Sequence, residues 1–406
     1  MRCTRLLATG VLVLLFTGCT VLLPERFAVN APMSHMLWGR GIDTPDAVLI
    51  KQRMRAAPGF EVSLWAENVP GARVLRFTPT GDLLVSSPVL NSILLLEADA
   101  DGDGRSDGER VLLERLDRPY GLELRDGWLY VGETGGIARV PFDPGIRGSG
   151  GGATGARLTG ELEHIVSNLP PGGNHWTRSL RFGPDGWLYV NVGSSCNVCL
   201  EKDPNRRAAI LRFQPDGTGE QTFATGLRNS VGFDWQPATG RFYATDNGRD
   251  LLGDNSPPCE LNELVEGGFY GFPFANGDRQ PDPNFGEGQS QRIASSIPPA
   301  HSFAAHNAPL GMNFVGGEKL PKSMEGAAIV ALHGSWNRTR KDGYKVVWLQ
   351  WDEEGQIREA DFLTGFLEND DPIGRPADAI QGPDGSIYVS DDYAGVIWKV
   401  QYTGQP

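Results

Sequence analysis

Three observations predict an all-β fold and, within that class, a six-bladed β-propeller. A unit of apolar strand, Gly-containing turn and second apolar strand recurs six times along the chain. Glycine is abundant, with 53 residues in 406, roughly twice its usual share of about 7%, as many short strands and tight turns require. The strands are too short to bury a face alone, so they must stack against copies of themselves.

The copies are VLRFTPTGDLLVSS (74–87), GLELRDGWLYVGET (121–134), SLRFGPDGWLYVNV (179–192), VGFDWQPATGRFYATD (231–246), GMNFVGGEKLPKSMEGAAIVAL (311–332) and DAIQGPDGSIYVSD (378–391). In the turns, proline presets φ and glycine supplies the positive φ that closes a hairpin. A third strand follows most copies: SILLLEAD, GIARVPF, AAILRFQPDG, YKVVWLQW and GVIWKVQY. Spacings of roughly 45–80 residues point to radial repetition. The last strand, 396–402, is expected to close the ring against FEVSLWAE near residue 60. Long loops, chiefly 143–174 and 247–310, are expected to decorate one face. A sandwich or two-domain β protein is the structural alternative. The expected organisation is a signal segment over 1–18, a tether and entry segment over 19–56, and the propeller over 57–404.

The N-terminus, MRCTRLLATGVLVLLFTGCT, places two arginines before a short apolar run and small residues. This is the layout of a secretory signal. Its ending, FTGC, resembles a bacterial lipobox, with Cys19 as the lipid-bearing residue. The expected location is therefore the periplasm or cell envelope, with the chain anchored to the membrane through Cys19. The net charge is −13, which argues against a nucleic-acid partner. Of five cysteines, Cys196 and Cys199 form a C-x-x-C with no histidine after it, so haem c attachment is excluded. A lone C-x-x-C is weak evidence for zinc, and an oxidising compartment favours a disulfide.

In an acidic chain, arginines at blade ends need a reason. Arg228, Arg249, Arg338 and Arg375 each lie next to an expected strand, and together they come from three different repeats. Guanidinium groups converging on one pocket suit a ligand with several carboxylates or phosphates. Asn174-His175-Trp176 stands just ahead of the third hairpin, in a chain with six histidines. Taken singly, His175, His306 and His333 suit hydrogen-bonded structural roles, and Trp176 and Trp336 suit either blade core or a flat ligand.

Together, N-x-H-W-T-R…FGPDGWLYVNVGSSCNVC, GLRN, TDNGRD…PPCELN…GGFYGFP, HGSWNR and GRPADAIQGPDG resemble the soluble glucose/sorbosone dehydrogenases. These are six-bladed propellers that use pyrroloquinoline quinone (PQQ). The likeness covers most of 57–402 and is nearest the sorbosone or pyranose dehydrogenase branch. It implies PQQ and calcium as cofactors and a sugar as substrate. It implies His175 as general base, and Arg228, with Asn229 beside it, on the quinone oxygens. Arg338 and Arg375 would hold PQQ carboxylates, and the main-chain carbonyls of Gly248 and Arg249 would ligate calcium. Cys259 stands where many relatives carry an acidic residue, and Ala377 where a second arginine can occur. Lys345 is a substitute cation only in name.

A second calcium loop is a candidate at DADGDGRSDGER, where Asp99, Asp101, Asp103 and Asp107 alternate in the manner of an EF-hand. Arg110 stands at the position of the usual closing glutamate. Two other functions compete with the dehydrogenase: a calcium-dependent lactonase or esterase propeller, and a non-catalytic envelope binding propeller. No haem motif or redox domain specifies the electron acceptor, expected to be a cytochrome or a quinone.

Overall fold

The computed structural model describes residues 24–38, 41–146 and 155–404. The expected signal segment and Cys19 lie outside the described residues. Among those described, no helix is long and apolar enough to cross a membrane.

Six sheets of four or five strands form the six blades, antiparallel throughout except where Gly268–Phe269 joins the edge of blade 3 in parallel. The two strands of each sequence repeat are the inner pair of each blade: Leu75–Phe77 with Leu83–Ser87, Leu122–Arg125 with Trp128–Glu133, and Leu180–Phe182 with Leu188–Val192. Blades 4 to 6 follow with Phe233–Trp235 and Phe242–Asp246, Pro309–Val315 and Ala327–Leu332, and Pro376–Gln381 and Ile387–Asp391. The Pro-Asp-Gly turn of blade 3 works as its composition requires. Gly186 has φ of 84°, and its N–H donates to the Gly183 carbonyl at 2.9 Å.

The ring closes as expected. Phe60–Ala66 pairs antiparallel with Val396–Tyr402, matching Val62 to Val400 and Leu64 to Trp398. The first strand of the propeller is thus the outer strand of blade 6. The stretch 247–310 corrects the sequence reading. It is not merely a loop, because it holds the third and fourth strands of blade 4, Cys259–Leu264 and His301–Phe303. Those strands carry Glu260, Asn262, Glu263 and His301, which hid them among polar residues.

The core lies between blades. Leu83 and Val85 pack toward Ile380 and Tyr388 of blade 6, while Leu84 between them packs toward Leu122 and Leu129 of blade 2. Both faces of an inner strand are therefore buried. This is why these strands read as continuous apolar runs rather than as alternating ones. Trp65 and Trp398 are fully buried in this packing, at 1% and 0% exposure.

Candidate cofactor site at the channel mouth

Strands alternate in direction, so the turns inside each inner pair lie on one face of the disc. The residues that enter an inner strand and those that leave its partner lie on the other face, which we call the mouth. Below the mouth, one side chain from each innermost strand projects into the central channel: Arg76, Glu123, Arg181, Asp234, Asn313 and Asp378. Arg76 pairs with Glu123 at 3.3 Å and Arg181 with Asp234 at 3.6 Å. Arg181 also donates to Asn313, whose amide donates to Asp378 at 3.1 Å. This ring plugs the channel and makes the mouth a dead end.

His175 enters blade 3 at the mouth. Its Nδ1 lies 2.8 Å from the Ser194 carbonyl, which can only accept, so Nδ1 carries the proton. Nε2 then holds the lone pair, and among the described residues it has no hydrogen-bond partner. Burial, and then the Arg228 charge, push the imidazole pKa down to about 3. His175 is a neutral base at any physiological pH. Gly193 is required here: a Cβ at that position would stand 2.6 Å from the His175 Cβ and 2.7 Å from the Asn229 Oδ1. His175 and Asn229 thus share one wall.

Arg228 and Asn229 enter blade 4. Their backbone N–H groups donate to Asp246, at 2.8 Å for Arg228. The Arg228 guanidinium commits four of its five N–H donors. It donates to the Asn197 carbonyl at 2.9 Å, the Asn197 side chain at 2.9 Å and the Asn247 carbonyl at 3.0 Å, and it pairs with Asp250 at 3.3 Å. Burial lowers its pKa, with Asp250 and Asp246 opposing. Asn197 is held by the Cys196–Cys199 disulfide, which the structure forms. The carbonyl oxygens of Gly248 and Arg249 accept no hydrogen bond among the described residues. Cys259 begins a strand behind this loop at 1% exposure, and burial pushes its thiol up to about 11. Burial also raises the Asp246 and Glu260 carboxyls above the usual range.

Across the mouth, Arg375 enters blade 6, and its guanidinium donates to the carbonyls of His333 at 3.2 Å and Gly334 at 3.0 Å. His333 is bound to Asp392 at 2.9 Å. Asp392 also receives Arg73 at 2.6 Å, and that charge, with the His333 contact, holds its carboxyl well below the ordinary value against burial. The other two arginines do not aim their charge at a common pocket. The Arg249 guanidinium turns outward onto Asp282 at 2.8 Å and Asn284 at 2.8 Å. Arg338 braces the rim, donating to the carbonyls of Asp254 at 2.7 Å and Ala305 at 3.2 Å. Trp176 lies edge-on to Tyr120 and beneath the Arg118 guanidinium, 3.9 Å from the ring centroid. Lys345 pairs with Asp361 at 2.6 Å, two blade strands away from the mouth.

The acidic loop does gather Asp99, Asp101 and Asp103, whose oxygens lie within 4.8 Å of one another. Each also caps a backbone N–H of the loop: Asp99 those of Gly102 and Gly104, Asp101 that of Asp103, Asp103 that of Arg105. Asp107 accepts from Ala100 at 2.9 Å.

The sequence reading missed Arg73, Arg178, Asn197, Asp250 and Asp392. A signal for two of them was present. Arg73 and Arg178 occupy one position of the repeat, three residues before Arg76 and Arg181. Aligning the repeats on their turns would have paired these two arginines at the entries to blades 1 and 3. Arg178 is fully buried and braces the loop that carries His175, donating to the Pro170 and Thr177 carbonyls at 2.7 Å.

Several buried polar atoms at the mouth lack a protein partner: Thr134 Oγ1, Thr177 Oγ1, Asn229 Oδ1, Ser230 Oγ and Asn307 Oδ1. Such atoms are rare in folded proteins and mark places where a polar ligand or water completes the bonding. With Arg228 and Arg375 on opposite sides and two uncommitted carbonyls at Gly248 and Arg249, this donor set fits a polar, anionic cofactor and a hard cation.

A family model described as Glucose / Sorbosone dehydrogenase matches residues 153–399, and the chain belongs to that family. A Borreliella burgdorferi protein described only as uncharacterized is 33% identical over 300 residues, covering 72% of this chain and 78% of that protein. A pyrroloquinoline quinone-dependent pyranose dehydrogenase of Coprinopsis cinerea is 24% identical over 433 residues, 90% of this chain. The match spans only 57% of that enzyme. The holo PQQ domain of the Coprinopsis cinerea pyranose dehydrogenase superposes with a TM-score of 0.69 at 23% identity, over 86% of this chain and 97% of that one. The likeness confirms the six-bladed fold, and family membership supports sugar oxidation in general terms.

Proposed function

We propose that this protein is a PQQ- and calcium-dependent dehydrogenase that oxidises an aldose or a related sorbosone-like hydroxy-carbonyl sugar. The observation that carries the proposal is the neutral His175, tethered to Ser194 through Nδ1 alone, sharing a wall with the unpartnered Asn229 Oδ1, beside Arg228. When bound, PQQ supplies a carbonyl that accepts hydride, and calcium polarises it. Arg228 and Asn229 would hold the quinone side, Arg375 a carboxylate, and the Gly248 and Arg249 carbonyls the calcium.

The chain's own work is then definable. His175 Nε2 takes the proton of the substrate hydroxyl while Ser194 keeps the ring oriented. Arg228 presents a positive charge whose direction is set by four fixed partners, so it needs no reorganisation as negative charge develops nearby. The channel ring excludes through-flow of water. Calcium and PQQ added to the purified chain should together permit dye reduction with an aldose. A chain that shows no PQQ spectrum and no dye reduction, or that hydrolyses lactones without quinone, would sink this reading.

The signal-like N-terminus supports placement at the cell envelope, with lipid on Cys19 and a cytochrome or quinone of the membrane as electron acceptor. Cys19→Ala should then move the protein from the membrane fraction to the soluble one. Retention in the membrane would reject the anchor.

A further inference from the structure

The segment that precedes the propeller is more than a tether. Its described residues contact the mouth loops of blade 4 at Glu25, of blade 5 at Arg26–Asn30 and of blade 6 at His35, Gly41 and Ile42. Glu25 accepts from the Asp254 N–H at 2.7 Å. Asn337 donates to the carbonyls of Arg26 at 3.2 Å and Ala28 at 2.6 Å. The Asn30 N–H donates to the Trp336 carbonyl, and the Ile42 N–H to the Tyr393 carbonyl, both at 2.9 Å. Gly41 lies so close that a Cβ would meet the Tyr393 carbonyl oxygen at 2.0 Å. The loops it clasps are those that follow the second strands of the three blades carrying Gly248, Arg338 and Arg375.

Among the described residues, the clasp buries a histidine at the mouth. His35 is 8% exposed and places Nε2 3.4 Å from Asp392 Oδ2, with its ring edge-on to Tyr393. In the neutral ring the proton sits on Nε2, which faces the carboxylate, and Nδ1 is then a lone-pair acceptor. That Nδ1 is buried and, among the described residues, has no hydrogen-bond partner. In that state its partner is a donor. A sugar hydroxyl qualifies, whereas a carboxylate of the cofactor does not. A metal ion is disfavoured, because Arg73 already balances Asp392 at 2.6 Å.

We propose that the segment around His35, clasped at Glu25–Asn30 and at Gly41–Ile42, is part of the substrate site and that His35 Nδ1 accepts a hydrogen bond from a hydroxyl of the bound sugar. The inference rests on the sugar dehydrogenase reading. It adds a substrate-binding residue from outside the propeller.

Two substitutions separate ligand contact from bracing. The amide of Asn can stand near the place of Nδ1, while that of Gln reaches toward the place of Nε2. The full-length holoenzyme would be assayed with whichever of glucose, galactose, xylose or sorbosone turns over fastest. Binding of that sugar would be followed in parallel by intrinsic tryptophan fluorescence. His35→Gln should raise KM and the sugar Kd about fivefold to tenfold, the effect of one lost hydrogen bond. Its kcat, PQQ affinity and apo melting temperature should hold, and His35→Asn should recover most of the loss. If His35 merely braces Asp392, the order reverses, with Gln behaving as wild type and Asn defective, and the proposal falls. Unchanged KM in both variants also overturns it while leaving the dehydrogenase reading intact. A wild-type chain that neither binds PQQ nor turns over any of the sugars removes that reading and this inference with it.

Discussion

The plug of the channel and the mouth above it are built on the same six inner strands, yet they treat polar groups in opposite ways. In the plug, Arg76, Glu123, Arg181, Asp234, Asn313 and Asp378 find partners within the chain, and none of them has a buried unpartnered atom. At the mouth, His35, Thr177, Asn229 and Asn307 keep buried polar atoms with no protein partner. A satisfied network stabilises and specifies a fold, whereas an unsatisfied one has a partner outside the chain. The lesson is that charge alone does not mark the functional end of this propeller; a cluster of incompletely bonded groups beside the charges distinguishes the mouth from the plug.

The contrast can be broken from either side. The largest effect is expected at the mouth: His175→Ala should lower kcat by about 10²–10⁴-fold, the usual contribution of a general base. Melting temperature and PQQ affinity should stay near wild type. Equal activity in the two proteins, measured by dye reduction, would remove His175 from catalysis. In the plug the effect should be on stability instead. Arg181→Met strips a buried partner from Asp234 and Asn313 and should cost about 3–5 kcal/mol in urea unfolding, with PQQ affinity of the folded fraction unchanged.

Acid should sharpen the comparison further. Burial depresses the His175 and His333 pKa values to about 3 each, against roughly 6.5 in an unfolded chain. Between those values the unfolded chain binds more protons, so stability must fall as pH drops below about 6.5. Asp392, held low by Arg73 and His333, adds a further loss only below the ordinary carboxylate range. Melting temperature against pH should show this, and His333→Gln should shrink the slope between pH 6.5 and 3. The smallest effect is expected from Asn229→Ala, which removes one unpartnered acceptor. PQQ titration should show affinity weakened up to about tenfold, with little change in melting temperature.

Much of the fold was legible because the propeller repeats. Six hairpins with Gly turns, and the outlying strand near residue 60, are local patterns that a short window displays. The third and fourth strands of blade 4 were not legible, since Glu260, Asn262 and Glu263 interrupt the apolar run and a long insertion separates them. The candidate site was legible in part. His175, Arg228, Asn229 and Arg375 do stand at the mouth, at the entries to blades 3, 4 and 6. Arg249 and Arg338 carry the right charge at the right strand ends, but their guanidiniums brace other loops. Side-chain direction depends on neighbours far away in sequence, such as Asp282 for Arg249 and Ala305 for Arg338.

The sequence by itself determined the class: turn chemistry and strand length are properties of a few adjacent residues, and six copies of them specify a closed ring. Only the tertiary structure decided which polar groups are spent and which remain. That depends on partners brought together across the ring, as when Asp392 of blade 6 gathers Arg73, His333 and the His35 of a clasp more than 350 residues away in sequence.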